Sequence, residues 1–314
     1  MCTAMQITGA PNFFGRTLDA KQSYGEGALF VPKGAPLAFL HEAALPMHQA
    51  MLGVGILHEK TPLYFDAVND AGLAGAALRF AHSAAYHAPR AGMHNAASFE
   101  IIPWVLAKCR TITEAAALLS RTNITPESVS PAFPAEPLHF LFADRSGAIA
   151  AEPLAGGLTV KENPFGVLTN EPPFAFHAAH AALFRQLSAK TPANTFCPEA
   201  PLAVVTGGLG GMGLPGDFSS PSRFLRAAFL RAHAENIDSP GAFFHLTDAL
   251  TVPRGCTEEM HTLWASCYDL DACTLHVTSA ACRRIQSARM DAFSADAPVW
   301  RPFADAEDER ELRG

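Results

Sequence analysis

The sequence predicts an α+β fold in which sheets pack face to face and helices cover the outside. Three observations carry this. Strand-like runs recur in groups, helical stretches fall between the groups, and no regular strand–helix–strand alternation links them. With 314 residues and 49% hydrophobic content, the chain is long enough to bury a substantial core, as one large domain or two smaller ones.

The elements follow in order. Residues 2–8 mix β-branched and apolar side chains without charge or proline, a strand signal. A Gly-Ala-Pro-Asn turn at 9–12 leads to a second strand at 13–19, closing a hairpin. Strands are expected at 52–57, 63–68 and 74–80, with a turn at Asn69-Asp70-Ala71-Gly72. Residues 100–119 read as two short helices, the second opened by the capping-box pattern Thr111-Ile112-Thr113-Glu114. Residues 122–137, rich in Pro, Ser and Thr, read as a surface loop. Strands resume at 138–143, 148–152, 158–161 and 167–169. Helices are expected at 174–187 and 223–234, the latter launched by Ser220-Pro221-Ser222. Late strands fall at 261–268 and 274–278, and the charged tail from Asp305 is expected to be solvated.

The chemistry begins at residue 2. Removal of Met1 from Met1-Cys2-Thr3 would leave a cysteine bearing a thiol and a free α-amine, with ordinary pKa values near ~8.5 and ~8. A nucleophile and a group able to take its proton then share one residue. The hairpin returns Arg16 and Asp19 beside Cys2, where a guanidinium favours the thiolate and an acid can orient the amine. From the residues alone, a loose terminal thiol and a surface ion pair fit as well.

Composition narrows the function class. The net charge is −7, without a basic block, which argues against a nucleic-acid partner. Apolar runs such as 51–57 are too short to span a membrane, and no secretory signal precedes Cys2, so a cytoplasmic protein is expected. Seven cysteines, an odd number spread over the chain without a Cys-x-x-Cys pair, do not form a disulfide framework. His177 and His180 stand three apart on an expected helix, yet no third ligand is near, and they read as ordinary polar positions rather than a metal site. Gly208-Leu209-Gly210-Gly211-Met212-Gly213 fits the dinucleotide pattern, but Leu214-Pro215-Gly216 would break the helix that pattern requires.

Five segments then occur in order: Met1-Cys2, Phe14-Gly15-Arg16-Thr17-Leu18-Asp19, Asn69-Asp70-Ala71-Gly72-Leu73, Leu168-Thr169-Asn170-Glu171-Pro172-Pro173-Phe174, and the run from Gly213 to Phe224. Together they resemble the choloylglycine hydrolase family, N-terminal-nucleophile amidases that include bile salt hydrolases and penicillin V acylases. The resemblance covers residues 2 to about 278. It implies a single domain over 1–314 with a four-layer αββα sandwich, no metal or cofactor, and a homo-oligomer, usually a tetramer. It implies Cys2 as nucleophile, Arg16 and Asp19 beside it, Asn170 as oxyanion donor and Arg223 close to the nucleophile. It implies hydrolysis of a linear amide with a large apolar acyl group through a thioester. Conjugated bile salts of glycine or taurine are the first substrate expectation, penicillin V or another N-acyl amide the second. A non-catalytic binder of apolar carboxylates is the third, and the complete residue set argues against it. One position departs from the family: Arg79 stands where bile salt hydrolases usually carry asparagine and penicillin V acylases tyrosine. A backbone N–H there can still serve the oxyanion, while the side chain either meets an anionic leaving group or turns away to an acid.

Overall fold

A computed structural model describes residues 1–304, so the tail expected from Asp305 onward lies outside the described residues. The strands and helices are β1 (Cys2–Ile7), β2 (Phe13–Ala20), β3 (Gly27–Val31), β4 (Met51–His58), β5 (Thr61–Asn69), β6 (Ala74–Arg79) and β7 (His94–Ala97). Next come α1 (Ile101–Lys108), α2 (Ile112–Leu119), β8 (Thr122–Thr125), β9 (Leu138–Asp144), β10 (Gly147–Leu154), β11 (Gly157–Glu162) and β12 (Val167–Leu168). The remainder are α3 (Phe174–Ala181), α4 (Ser220–His233), α5 (Pro240–Asp248), β13 (His261–Asp269), β14 (Thr274–Ser279), β15 (Gln286–Arg289) and β16 (Val299–Pro302).

Two antiparallel sheets carry the fold. One has the order β12-β1-β2-β13-β14-β15, the other β11-β10-β9-β6-β5-β4-β3-β16. One core fills the space between them and continues under α4 and α5, which pack on β1 and β13. A second core lies between the larger sheet and α1 and α2, around Ile101, Trp104, Phe140 and Phe142. The layers are therefore helix, sheet, sheet, helix: the αββα sandwich. Because both faces of each sheet are covered, β1 and β2 are buried along their whole length. The usual alternation of buried apolar and exposed polar residues is therefore absent, and the polar residues of these strands, Thr3, Gln6, Arg16, Thr17 and Asp19, are buried as well.

Register sorts β1 and β2 into two faces. Cys2 pairs with Leu18 and Ala4 with Arg16. Gln6 reaches Asp144 O of the other sheet, whereas Thr3 reaches Arg223 of α4. Even-numbered residues of β1 and β2 thus face the inter-sheet space, and odd-numbered ones face the helices. Gly15 falls on the helix side, where a Cβ would come 2.1 Å from Ser266 O and 2.8 Å from the Phe243 ring. The Asn69 turn is a structural device. Asn69 Oδ1 accepts from the N–H groups of Ala71 and Leu73, its Nδ2 donates to Leu106 O and Cys109 O beneath α1, and Gly72 takes a φ of +82°.

Several expectations need correction. Residues 122–137 do not form a loop throughout, since β8 is buried and pairs in parallel with β7. The strands β3, β7, β15 and β16 and the helix α5 were not anticipated. The helix expected over 174–187 ends at Ala181 and continues only as a short 3₁₀ turn at Ala182–Phe184. Thr111 caps α2 through the Glu114 N–H, but Glu114 reaches back to the Arg110 N–H rather than to Thr111, so the box is displaced by one residue. Ahead of the glycine run, the apolar residues 202–205 form no strand, with Val205 85% exposed. The glycine run forms a 3₁₀ turn at Leu209–Gly211 and launches no helix.

Candidate active site

The five expected site residues converge. Cys2, Arg16, Asp19, Asn170 and Arg223 are all buried and surround the start of β1. Arg16 is the diagonal cross-strand neighbour of Cys2 on the inter-sheet face, and its Nη2 donates to Cys2 Sγ. Its Nη1 donates to Phe65 O at 3.2 Å and Ala77 O at 2.5 Å. The β5–β6 ladder stops at Asp66↔Ala76. The guanidinium therefore enters where the two strands separate and takes the carbonyls that the ladder leaves open. Such a buried, rigidly held cation stabilises a thiolate at its tip.

Arg223 lies in the first turn of α4 and approaches from the helix side. The turn is organised by Asp217, which accepts from Ser219 N and Ser222 Oγ; these bonds hold its carboxyl down at about 2. Ser219 is the N-cap, with proline in the first turn. Arg223 donates to Cys2 O, to Thr3 Oγ1 at 2.6 Å, to Asn170 Oδ1 at 2.9 Å and to Phe218 O at 3.0 Å. It holds the backbone of Cys2 and the amide of Asn170; the thiol contact belongs to Arg16. Burial pushes the Arg223 guanidinium below its usual range, and the negative charges of Asp19 and Cys2 oppose that.

Asn170 follows β12. Its Oδ1 accepts from Arg223 and from Cys2 N at 2.7 Å, and its Nδ2 donates to Arg79 O at 2.8 Å. Two donors on one end and a carbonyl on the other fix the orientation of the amide and leave its second N–H free to point elsewhere. Arg79 ends β6. Phe80 N donates to Pro137 O beyond β9, so by antiparallel alternation Arg79 turns both its N–H and C=O away from β9, towards Asn170. The Arg79 side chain is 54% exposed, and its Nε stands 3.9 Å from Glu136 Oε2.

Asp19 lies on the helix side of β2. Thr262 Oγ1 donates to its Oδ1 at 2.5 Å, while its Oδ2 is buried without a partner among the described residues. The ammonium of Met1 donates to Asp19 O at 2.6 Å, and Asp19 N donates back to Met1 O. With Met1 in place, Cys2 N is an amide and the free carboxylate oxygen awaits a donor.

A cleft of about 380 Å³ opens over Cys2, within the range of roughly 300–1,000 Å³ typical of small-molecule sites. Leu18, Ile56, Leu63, Phe65, Phe133 and Leu138 supply apolar walls, and Tyr24, Arg79 and Glu136 supply polar groups. Met1 also borders this space.

Residues that sequence reasoning missed support the site from behind. Asp66 accepts from Ser266 Oγ at 2.5 Å and Tyr268 OH at 2.7 Å, and Ser266 Oγ accepts from Arg16 N. Burial pushes the Asp66 carboxyl up, against the pull of Arg16 and the two hydroxyls. His177 is not the ordinary, partly exposed helix position expected: it is 1% exposed and stacks on Phe224. Among the described residues, no three His, Cys, Asp or Glu side chains converge as a metal-binding set, and no helix is long and apolar enough to cross a membrane. The visible signal for these missed groups was a carboxylate, Asp66, inside the expected strand 63–68; nothing local pointed to its partners Ser266 and Tyr268.

The comparisons with known proteins agree with this geometry. Residues 2–298 match the family model described as linear amide C-N hydrolases, choloylglycine hydrolase family. The chain is 36% identical over 280 residues to a bile salt hydrolase/transferase of Lactiplantibacillus plantarum, covering 86% of each. It is 35% identical over 239 residues to one of Bifidobacterium longum, covering 74% of each. A mutant conjugated bile acid hydrolase from Clostridium perfringens superposes with a TM-score of 0.90 at 25% identity over the whole of both chains. A penicillin V acylase from Agrobacterium tumefaciens shares the fold, with a TM-score of 0.73 at 20% identity over 92% of this chain and 86% of its own. The chain thus belongs to the choloylglycine hydrolase family and is an N-terminal-cysteine hydrolase of linear amides.

Proposed function

We propose that the protein hydrolyses the amide of conjugated bile salts, with Cys2 as nucleophile once Met1 has been removed. The observation that carries this is the Arg16 contact to Cys2 Sγ at the floor of an apolar cleft. The freed α-amine takes the thiol proton, oriented by the unpartnered Asp19 Oδ2. The thiolate attacks the amide carbonyl. The oxygen that becomes negative is received by the second N–H of Asn170 Nδ2 and by the N–H of Arg79, the residue whose carbonyl Asn170 holds. The amine then passes its proton to the departing nitrogen, and water resolves the thioester.

The apolar walls suit a steroid acyl group, and the Arg79 guanidinium at the cleft suits the carboxylate or sulfonate of a glycine or taurine conjugate. Relatives named for bile salts at 35–36% identity favour this substrate over penicillin V, which is the alternative. Seven free cysteines support a cytoplasmic setting. The exposed apolar side chains of Phe196, Leu202, Val204 and Val205 support assembly into an oligomer, which a sedimentation measurement tests. The substrate test is incubation with taurocholate, glycocholate and penicillin V side by side, measuring released amine and acid. Preferential release from the bile salts is expected; preferential release from penicillin V overturns the substrate assignment.

A further inference from the structure

Asn170 occupies a segment outside the strand and helix ladders, tied on either side by the Thr169 hydroxyl to Ser220 and by the Glu171 carboxylate to His82 and Ser83. β12 pairs with β1 at only two positions, Val167 and Leu168. After Asn170 come Glu171, Pro172 and Pro173, and α3 begins at Phe174. The two prolines carry no N–H, so the stretch 169–173 cannot be fixed by a backbone ladder. The amide itself is held at its tip by Cys2 N, Arg223 and Arg79 O, and the backbone behind it needs a separate hold.

Two buried histidines supply it. A carbonyl oxygen can only accept, so each ring nitrogen facing one must be a donor. His139 Nε2 donates to Thr169 O at 2.7 Å, and His177 Nε2 donates to Asn170 O at 3.0 Å. These are the two peptide groups on either side of the Asn170 Cα. Pinning both fixes the rotation of the residue between them.

Each histidine is itself anchored to a neighbouring part of the site. The His139 ring stacks on Phe80, the residue after Arg79, with centroids 4.2 Å apart and planes 7° apart. The His177 ring stacks on Phe224, the residue after Arg223, at 4.8 Å and 15°. On its other side, His139 Nδ1 stands 3.2 Å from Glu152 Oε1, which also accepts from Phe174 N at 2.8 Å, the first residue of α3. One histidine therefore references Asn170 to the strand that carries the second oxyanion N–H. The other references it to the helix whose arginine grips its amide oxygen.

We propose that His139 and His177 are positioning residues that clamp the peptide groups flanking Asn170 and thereby aim its amide at the oxyanion. This rests on the reading of Asn170 as the oxyanion donor. The clamp touches neither the thiol nor the cleft walls, so its loss is felt in the chemical step and not in substrate binding.

The test compares His177→Phe, which keeps the stacking ring but removes the donor, with His177→Gln, which can return an N–H. His139→Phe and His139→Gln form the parallel pair. Each is measured for kcat, KM and the rate of Cys2 alkylation, alone and combined with Asn170→Ala. The expected result is a fall in kcat of about 10- to 100-fold for the Phe variants, with KM and alkylation unchanged and partial recovery in the Gln variants. In the Asn170→Ala background the same substitutions should cost at most about threefold, because the group they aim is gone. Costs that are equal in the two backgrounds, or alkylation slowed as much as turnover, overturn the clamp. If His139→Phe fails to fold for want of a partner to Glu152, His177→Phe decides alone, since the other nitrogen of His177 has no partner to lose. A normal kcat in Asn170→Ala alone removes the oxyanion reading and the clamp with it. A low kcat in Asn170→Ala beside a normal one in His177→Phe removes only the clamp.

Discussion

Arg16 and Arg223 reach the same residue from opposite sides of β1, and the two regions around them are built differently. Arg16 comes from the inter-sheet space and meets the Cys2 thiol; Arg223 comes from the helix layer and meets the Cys2 carbonyl and the Asn170 amide. Strand alternation explains the division. A side chain at the start of a strand points to one face, while Thr3, its successor, points to the other. A cation on one face can therefore tune the nucleophile while a cation on the other fixes the frame around it. The lesson is that two buried arginines beside one cysteine are not interchangeable sources of positive charge.

The largest effect should come from the group both regions serve. Cys2→Ser should fold with the same thermal midpoint yet lose turnover by on the order of 10⁴-fold or more, because a hydroxyl is a far weaker nucleophile at neutral pH. Retained turnover would make the comparison moot. Next, the two arginines should separate under alkylation. Arg16→Gln should slow the reaction of Cys2 with iodoacetamide at neutral pH. Arg223→Gln should slow alkylation less, because its charge reaches Cys2 without touching the thiol, while lowering kcat by on the order of 10²–10³, as loss of an oxyanion donor does. Equal slowing in both variants would erase the distinction drawn here.

The two regions also differ in how far they could be read from sequence. Cys2, Arg16 and Asp19 lie within one hairpin whose strands and turn are visible in residues 2–19, so their proximity follows from local pattern. Asn170 and Arg223 are 53 residues apart, and Asn170 is 168 residues from Cys2. Nothing local brings them together, and only the ordered resemblance to a family placed them in one site. The supporting groups were hidden more deeply. His139 looks like one polar residue in an apolar strand; its partner Glu152 is revealed by the pairing of β9 with β10, and Thr169 by the packing of the two sheets. The short strand β8 was lost in a stretch rich in Ser, Thr and Pro, because parallel pairing with β7 and burial outweigh weak local propensity.

A smaller effect is expected at the mouth of the cleft. Arg79 is half exposed and its nearest acid stands at 3.9 Å, so a contact with an anionic leaving group should be worth about 1 kcal/mol or less. Arg79→Ala should raise KM by at most about fivefold for glycine and taurine conjugates and leave a neutral amide of the same acyl group unaffected. Equal losses on both substrates would assign the side chain to loop support.

The smallest effect is in pH dependence. Burial lowers the pKa of His177, the first cause, and its bond to Asn170 opposes the shift only partly. A base whose folded pKa is depressed binds fewer protons folded than unfolded. Stability should therefore be full above the ordinary histidine range near ~6.5 and decline as pH falls from there towards the lowered folded value. The thermal midpoint of His177→Phe should lack that part of the decline. An unchanged slope would mean that the ring is not buried in its neutral form.

Whether Cys2 is the nucleophile is decided by quenching the purified protein during turnover of taurocholate and mapping the acyl group by mass spectrometry. A chain that lacks Met1 and carries the steroid acyl as a thioester on Cys2 is expected. An active protein that retains Met1, or an acyl group found on any other residue, would contradict it.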